Sequence, residues 1–177
     1  MRLISFLYAH FLVIINRVQG KKLSIGKRVK IHPFTSIDPD TGSIHIGDST
    51  AILRGAILKA YRGHITLGRN CSVNHYCVLY GQGGLTIGDD VRIATQAVMV
   101  PADHIFESRD TPIYKSGEHR RGITIGNDVW IGAGAKILDG SHVADGCVIG
   151  ANSVVKTKTD AYGVYVGTPA KLIKSRT

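Results

Sequence analysis

Cysteine is scarce in this chain: Cys71, Cys77 and Cys147 are all there is, and no two of them form a C-x-x-C pair. An odd count without that spacing excludes a disulfide framework and a cysteine-rich zinc site. Aromatics make up only 7% of the residues and no nucleic-acid motif accompanies them, so no nucleic-acid partner is expected. Acidic residues are also few, 13 against 22 lysines and arginines, which leaves a formal charge of +9. That imbalance predicts attraction to an anion such as a phosphorylated cofactor, a nucleotide-sugar or an anionic membrane surface. Low-complexity tracts that would mark disorder are absent. So is a membrane-spanning run. The apolar stretch Leu3 to Ile15 (LISFLYAHFLVII) falls short of the roughly 20 residues that cross a bilayer. Arg17-Val18-Gln19-Gly20 behind it makes a poor signal-peptide cleavage site.

What the chain does have is a beat of six. From Ile123 to Gly167 an aliphatic residue returns at Ile125, Ile131, Ile137, Val143, Ile149 and Val155, with small residues following at Gly126, Gly132, Ala144 and Gly150. Neither a helix nor an ordinary strand has this period, and inward aliphatics every six residues are the signature of a parallel β-solenoid. Each turn of such a coil is three short strands that hydrogen-bond to the next turn, and several turns must stack to bury their inner faces. The same signal recurs upstream at Ile25-Gly26, Ile46-Gly47, Leu67-Gly68 and Ile87-Gly88, spaced 21, 21 and 20 residues apart. Three hexapeptides plus two or three residues at one corner account for those intervals. The turn-rich Asp38 to Gly42, Arg62 to His64 and Gly81 to Gly84 are where the extra residues fit.

From Ile87 to Ile125 the interval jumps to 38. Residues 103–122 (DHIFESRDTPIYKSGEHRRG) lose the beat, are charged and contain Pro112, so they read as a loop thrown out of the coil. Loops of that length in a compact domain are uncommon unless they do something. The expected organisation is therefore one domain: an apolar, basic-flanked helix in 1–22, a β-helix over 23–166 with the excursion at 103–122, and a basic tail over 167–177. The helix is expected to cap the open end of the solenoid and shield its strand edges. A second reading lays residues 3–15 on an anionic membrane as a peripheral contact. Trp130, one residue before a beat position, should point outward, and the cysteines should be inert core thiols.

The string Ile123-Thr124-Ile125-Gly126-Asn127-Asp128-Val129-Trp130-Ile131-Gly132 resembles the hexapeptide-repeat acyltransferases. Within them it looks like the galactoside, maltose and nodulation acetyltransferase branch, which includes many polysaccharide O-acetyltransferases. The resemblance covers roughly Leu23 to Lys174 and continues through Gly167-Thr168-Pro169-Ala170-Lys171. It implies an all-β, left-handed parallel β-helix, whereas general topology rules favour right-handed crossovers. It also implies a homotrimer with active sites at subunit interfaces, while the unpaired cysteines point to the cytoplasm, with a peripheral place at the inner membrane face if the helix meets lipid. Acetyl-CoA would be the co-substrate, with no metal required.

By that resemblance His104, where the coil gives way to the excursion, is the catalytic base. The chemistry demands such a group, because an alcohol attacks a thioester at neutral pH only if its proton leaves, and a neutral imidazole is suited to take it. Backbone N–H groups would stabilise the oxyanion, and no acyl-enzyme is needed. Asn74 matches an asparagine that binds the acceptor sugar; read from the sequence alone, it is a corner residue that caps a turn. Where the branch carries an acidic acceptor contact, this chain has Gly81 and Gln82, a departure from galactoside-like recognition. Trp130, Gly132, Ala133, Ala151 and Thr157 would line the pantetheine and adenine path, with Lys156, Lys158, Lys171 and Lys174 near the phosphates. The implied activity is O-acetylation of a sugar or surface polysaccharide, whether capsule, O-antigen or exopolysaccharide. N-acetylation of an amino-sugar nucleotide is the alternative. A gamma-class carbonic anhydrase needs three histidines, two of them close in sequence, and His75, His104 and His119 are widely spread. A non-catalytic solenoid leaves the excursion and the basic tail without a purpose.

Overall fold

The computed structural model describes residues 2–177. After a helix, α1 (Arg2–Val18), the chain winds through short strands that stack in parallel into three faces. The first face holds Lys22–Ile25, Ser43–Ile46, His64–Leu67, Leu85–Ile87, Ile123–Ile125 and His142–Val143. The second holds Lys30–Ile31, Ala51–Ile52, Ser72–Val73, Arg92–Ile93, Trp130–Ile131 and Val148–Ile149, extended by Gly163–Gly167 and Ala170–Ser175. The third holds Ser36–Asp38, Ile57–Lys59, Val78–Tyr80, Val98–Val100, Lys136–Leu138 and Val154–Val155. The six-residue beat of the sequence is this prism seen edge by edge.

Register turns the beat into aliphatic ladders. On the first face Ile25, Ile46, Leu67, Ile87, Ile125 and Val143 stack directly on one another. Ile31, Ile52, Val73, Ile93, Ile131 and Ile149 do so on the second. Ile37, Leu58, Leu79, Met99, Ile137 and Val155 do so on the third. Except for the half-buried Ile25, every one of these is buried. Each such side chain contributes about 1.5–3 kcal/mol relative to exposure. Corners repeat as strictly as strands. A Cβ built on Gly47 would lie 2.6 Å from the Gly68 carbonyl carbon of the next coil, which is why a small residue follows the aliphatic there. All three cysteines are free and buried, as expected of core positions. Burial pushes the Cys71 and Cys77 thiols up, keeping them protonated and unreactive.

Three details refine the expected organisation. The helix ends at Val18, where Gly20 takes a left-handed φ of +70° and its N–H caps the Arg17 carbonyl at 3.0 Å. Its inner side, with Ser5, Ala9 and Asn16 buried, packs on the strands Lys22–Ile25 and Lys30–Ile31 and closes the first coil. The basic tail is part of the solenoid: Ala170–Ser175 folds back antiparallel on Gly163–Gly167 and continues the second face. The excursion leaves the third face after Val100 and rejoins the first face at Ile123, so it occupies the edge between them.

Candidate active site

The excursion is stapled at its root. Asp103–His104 pairs antiparallel with Glu118–His119, placing Asp103 opposite His119 and His104 opposite Glu118. Glu118 is thus the register partner of His104, while its side chain lines a different cleft from the one the imidazole lines. Its carboxylate is held by Arg120 at 2.9 Å. Beyond the ribbon, the Ile105 N–H donates to the Gly117 carbonyl at 3.1 Å, and a single 3-10 turn, Ile113–Lys115, shapes the tip. The returning strand is fixed from below. Asp139, in the coil underneath, has a side chain fully shielded from solvent and accepts the Arg121 and Gly122 N–H groups at 2.8 Å each. It also takes the Arg121 guanidinium at 3.0 Å, while Arg121 reaches back to Asp103 at 3.9 Å. His104 is thus exposed at the mouth of an open cleft shared with Phe106, Glu107, His119 and Arg121, on a base tied to the rigid solenoid through a buried carboxylate.

The remaining candidates sort onto two edges of the prism. Lys156 and Thr157 follow the third-face strand Val154–Val155 and lie on the same edge as the excursion, with the Thr157 carbonyl accepting the His142 N–H. Asn74, Gly132, Ala133 and Ala151 lie on the other edge of the third face, where it meets the second. Lys171 joins them: it pairs with Val166, which follows Tyr165, the partner of Ile149. Trp130 is 55% exposed on the second face, and register runs from it through Val148 and Val164 to Lys174. Arg92 is its neighbour on the other side. Within one chain, then, His104 and Asn74 are separated by the width of the third face. Asn74 also plays the corner part its turn position suggests: its Nδ2 donates to the Ile93 carbonyl of the next coil at 2.8 Å.

Two groups on the excursion edge escaped sequence reasoning as site residues. Asp139 sits in an Asp-Gly turn within an unbroken run of repeats, so nothing in the sequence set it apart. Gln82 stood out only as a departure, yet its Oε1 is the one buried side-chain oxygen or nitrogen without a hydrogen-bond partner among the described residues. It lies in a cleft lined by Asp40, Tyr61, Arg62, Glu118 and Arg120, where Glu118 belongs to the returning strand of the ribbon and Arg120 follows it. A buried acceptor with no donor costs about 1–3 kcal/mol unless something supplies one. Among the described residues no group of three or more His, Cys, Asp or Glu is arranged to hold a metal.

Comparison with known proteins places these features. Residues 122–157 match the family described as bacterial transferase hexapeptide (six repeats). A Mycobacterium tuberculosis protein with an acetyltransferase name is 31% identical over 86% of this chain, and the match spans 49% of that relative's length. An Escherichia coli protein named for O-acetyl transfer in lipopolysaccharide biosynthesis is 32% identical over 84% of this chain and 80% of its own length. Among solved structures, a variant of AntD, an N-acyltransferase from Bacillus cereus, was captured with dTDP-4-amino-4,6-dideoxyglucose and coenzyme A. It is 28% identical, with a TM-score of 0.78 over 92% of this chain and 88% of that one.

Proposed function

This chain belongs to the bacterial hexapeptide-repeat acyltransferases, with their left-handed parallel β-helix, and from that premise we propose that it transfers an acetyl group from acetyl-CoA to a hydroxyl of a surface-glycan sugar. The observation that carries the reading is His104, an exposed imidazole at the root of the one excursion from the coils, on a ribbon clamped by Asp139. His104 takes the proton of the acceptor hydroxyl as its oxygen attacks the acyl carbonyl. The C–O bond forms, the C–S bond breaks, and the departing thiolate leaves as the thiol once that proton is passed on.

The donor wall of this reading is the opposite edge. Gly132, Ala133 and Ala151 give a narrow column of small residues: a Cβ on Gly132 would lie 2.6 Å from the Ala151 nitrogen. Gly132 is buried against the next coil, so the half-buried Ala133 and the exposed Ala151 are the residues left to meet the amides of a pantetheine arm, with Trp130 beside them and Lys171 and Lys174 for phosphates. Because one chain holds His104 and this column on separate edges, the reading needs a neighbouring subunit, with the His104 edge of one facing the Asn74 and Gly132 edge of the next, and the homotrimer that the resemblance implies supplies it. Lys156 and Thr157 then face the cleft from the His104 side.

A second reading is N-acylation of an amino-sugar nucleotide, favoured by likeness to an N-acyltransferase with a dTDP-amino-sugar over 92% of this chain. A neutral imidazole serves either nucleophile. Thiol release from acetyl-CoA, measured with free sugars, polysaccharides and amino-sugar nucleotides as acceptors, separates the two. Turnover confined to hydroxyl acceptors supports the first reading, turnover confined to amines the second, and no thiol release with any acceptor contradicts both.

A further inference from the structure

The helix α1 has one side buried in the first coil and the other open to solvent. On the open side Ile4, Leu7, Phe11, Ile14 and Val18 recur at alternating steps of three and four, so they form a single stripe along the helix. All five are large, apolar and 52% to 81% exposed. Past Ile4 the apolar surface runs into an open cleft walled by Pro33, Phe34 and Leu53. There Phe34 is 73% exposed, with the Arg54 guanidinium 4.4 Å above its ring. Single exposed apolar residues are ordinary, whereas a contiguous stripe of this size marks an interaction surface.

Charge says what that surface meets. Residues 1–37 contain seven of the chain's lysines and arginines and no aspartate or glutamate, so a charge of +7 out of the total +9 is gathered at this end. Lys27, Arg28 and Lys30 line clefts beside Phe6 and His10 on the helix, and Arg17 and Lys22 flank its end. Two acids border this end: Asp38 holds Lys21 at 2.7 Å, and Asp48, which lines one of these clefts, accepts the Lys27 backbone N–H at 2.8 Å and leaves the cationic side chains of Lys27, Arg28 and Lys30 in excess. A second copy of the helix laid on the stripe would press two cationic flanks together. No helix here is long and apolar enough to cross a membrane. An anionic bilayer meets both needs at once, taking the stripe below its headgroups and the basic flank among its phosphates.

We propose that α1 rests in the interface of an anionic lipid bilayer, Ile4, Leu7, Phe11, Ile14 and Val18 inward, and holds the solenoid against the membrane surface. The surface stands independently of which acceptor the active site takes. Flotation of the full chain with vesicles of phosphatidylcholine, alone or mixed with phosphatidylglycerol, tests it. The chain should float with the anionic vesicles and stay behind with the neutral ones, and binding should weaken as salt rises. Leu7→Asn/Phe11→Asn should cut the bound fraction by about tenfold or more with thermal unfolding unchanged. Should that pair lower stability, Lys27→Glu/Arg28→Glu, which keeps the stripe intact, should also release the chain. Failure of the unmodified chain to float with anionic vesicles overturns the proposal, as does equal flotation of the charge-reversed variant. A fall in oligomeric state on Leu7→Asn/Phe11→Asn, seen without vesicles by sedimentation, overturns it too, since it assigns the stripe to another copy.

Discussion

The regular coils and the single break in them are held together by different forces. Between Ile123 and Val155 the structure is stacked aliphatics and backbone hydrogen bonds, with Ile125, Ile131, Ile137 and Ile149 at 1% exposure or less. Across residues 103–122 no aliphatic is buried, and the segment is positioned by charge: a ribbon at its root, Arg121 against Asp139, and Arg120 against Glu118. Ladders give a rigid rod that is indifferent to which residues stand outside it. The clamp gives one place on that rod where a polar loop leaves at a fixed angle. The fold and the chemistry are therefore separable, and substitutions should divide them.

Asp139→Ala should have the broadest effect, because it strikes both regions. It leaves two shielded backbone N–H groups and Arg121 without their carboxylate, so stability should fall by about 3 kcal/mol. The shift of His104's ribbon should cost turnover about tenfold to a hundredfold. Denaturant unfolding and thiol release read the two losses. Ile131→Ala should match the stability loss, about 2–5 kcal/mol, through a cavity in the ladder. Turnover per folded molecule should stay close to that of the unmodified protein at low temperature. If Ile131→Ala disabled the folded enzyme as Asp139→Ala does, the two regions would not be separable.

Gln82→Leu should leave stability near its original value or raise it, since it removes a buried oxygen that has no partner. Denaturant unfolding reads the change. The smallest effect belongs to the Lys21–Asp38 pair, 2.7 Å apart, which ties the end of α1 to the third face. The Lys21 hydrogen bond, with the Asp40 N–H, holds the Asp38 carboxyl below its usual range. Its contribution is therefore complete above the unfolded-state value of about 4 and is lost as pH falls below that through the folded-state value. Both partners are about a third or more exposed, so Asp38→Asn should cost under about 1 kcal/mol at neutral pH. The difference from the unmodified chain should vanish in acid.

How much of this was legible in the sequence follows from the same division. The solenoid was legible because each beat residue meets its own counterpart one coil away, so the contact map is written as a period. The excursion was legible as the place where the period stops, whereas the role proposed for His104 within it rests on the resemblance. Asp139 was not legible, because two of its partners are the backbone N–H groups of residues 121 and 122, which no side-chain pattern announces, and the third is the Arg121 side chain 18 residues away. The assignment of candidates to two edges was hidden as well. In a three-sided coil a shift of a few residues moves a group to a different edge, so Ala151 and Thr157 lie apart although six residues separate them. The outer stripe of α1 was masked for the opposite reason. Apolar residues occupy both sides of that helix, so its periodicity carried no contrast until the packing of Ser5, Ala9 and Asn16 showed which side faces the coil.

The central claim, that His104 at the root of the excursion is the base for a direct transfer, is tested most directly by one substitution. His104→Ala should lower acceptor-dependent thiol release by about 10²–10⁴-fold, with thermal unfolding and the affinity for coenzyme A, measured by calorimetry, unchanged. Thiol release within a few-fold of the unmodified protein would contradict the account.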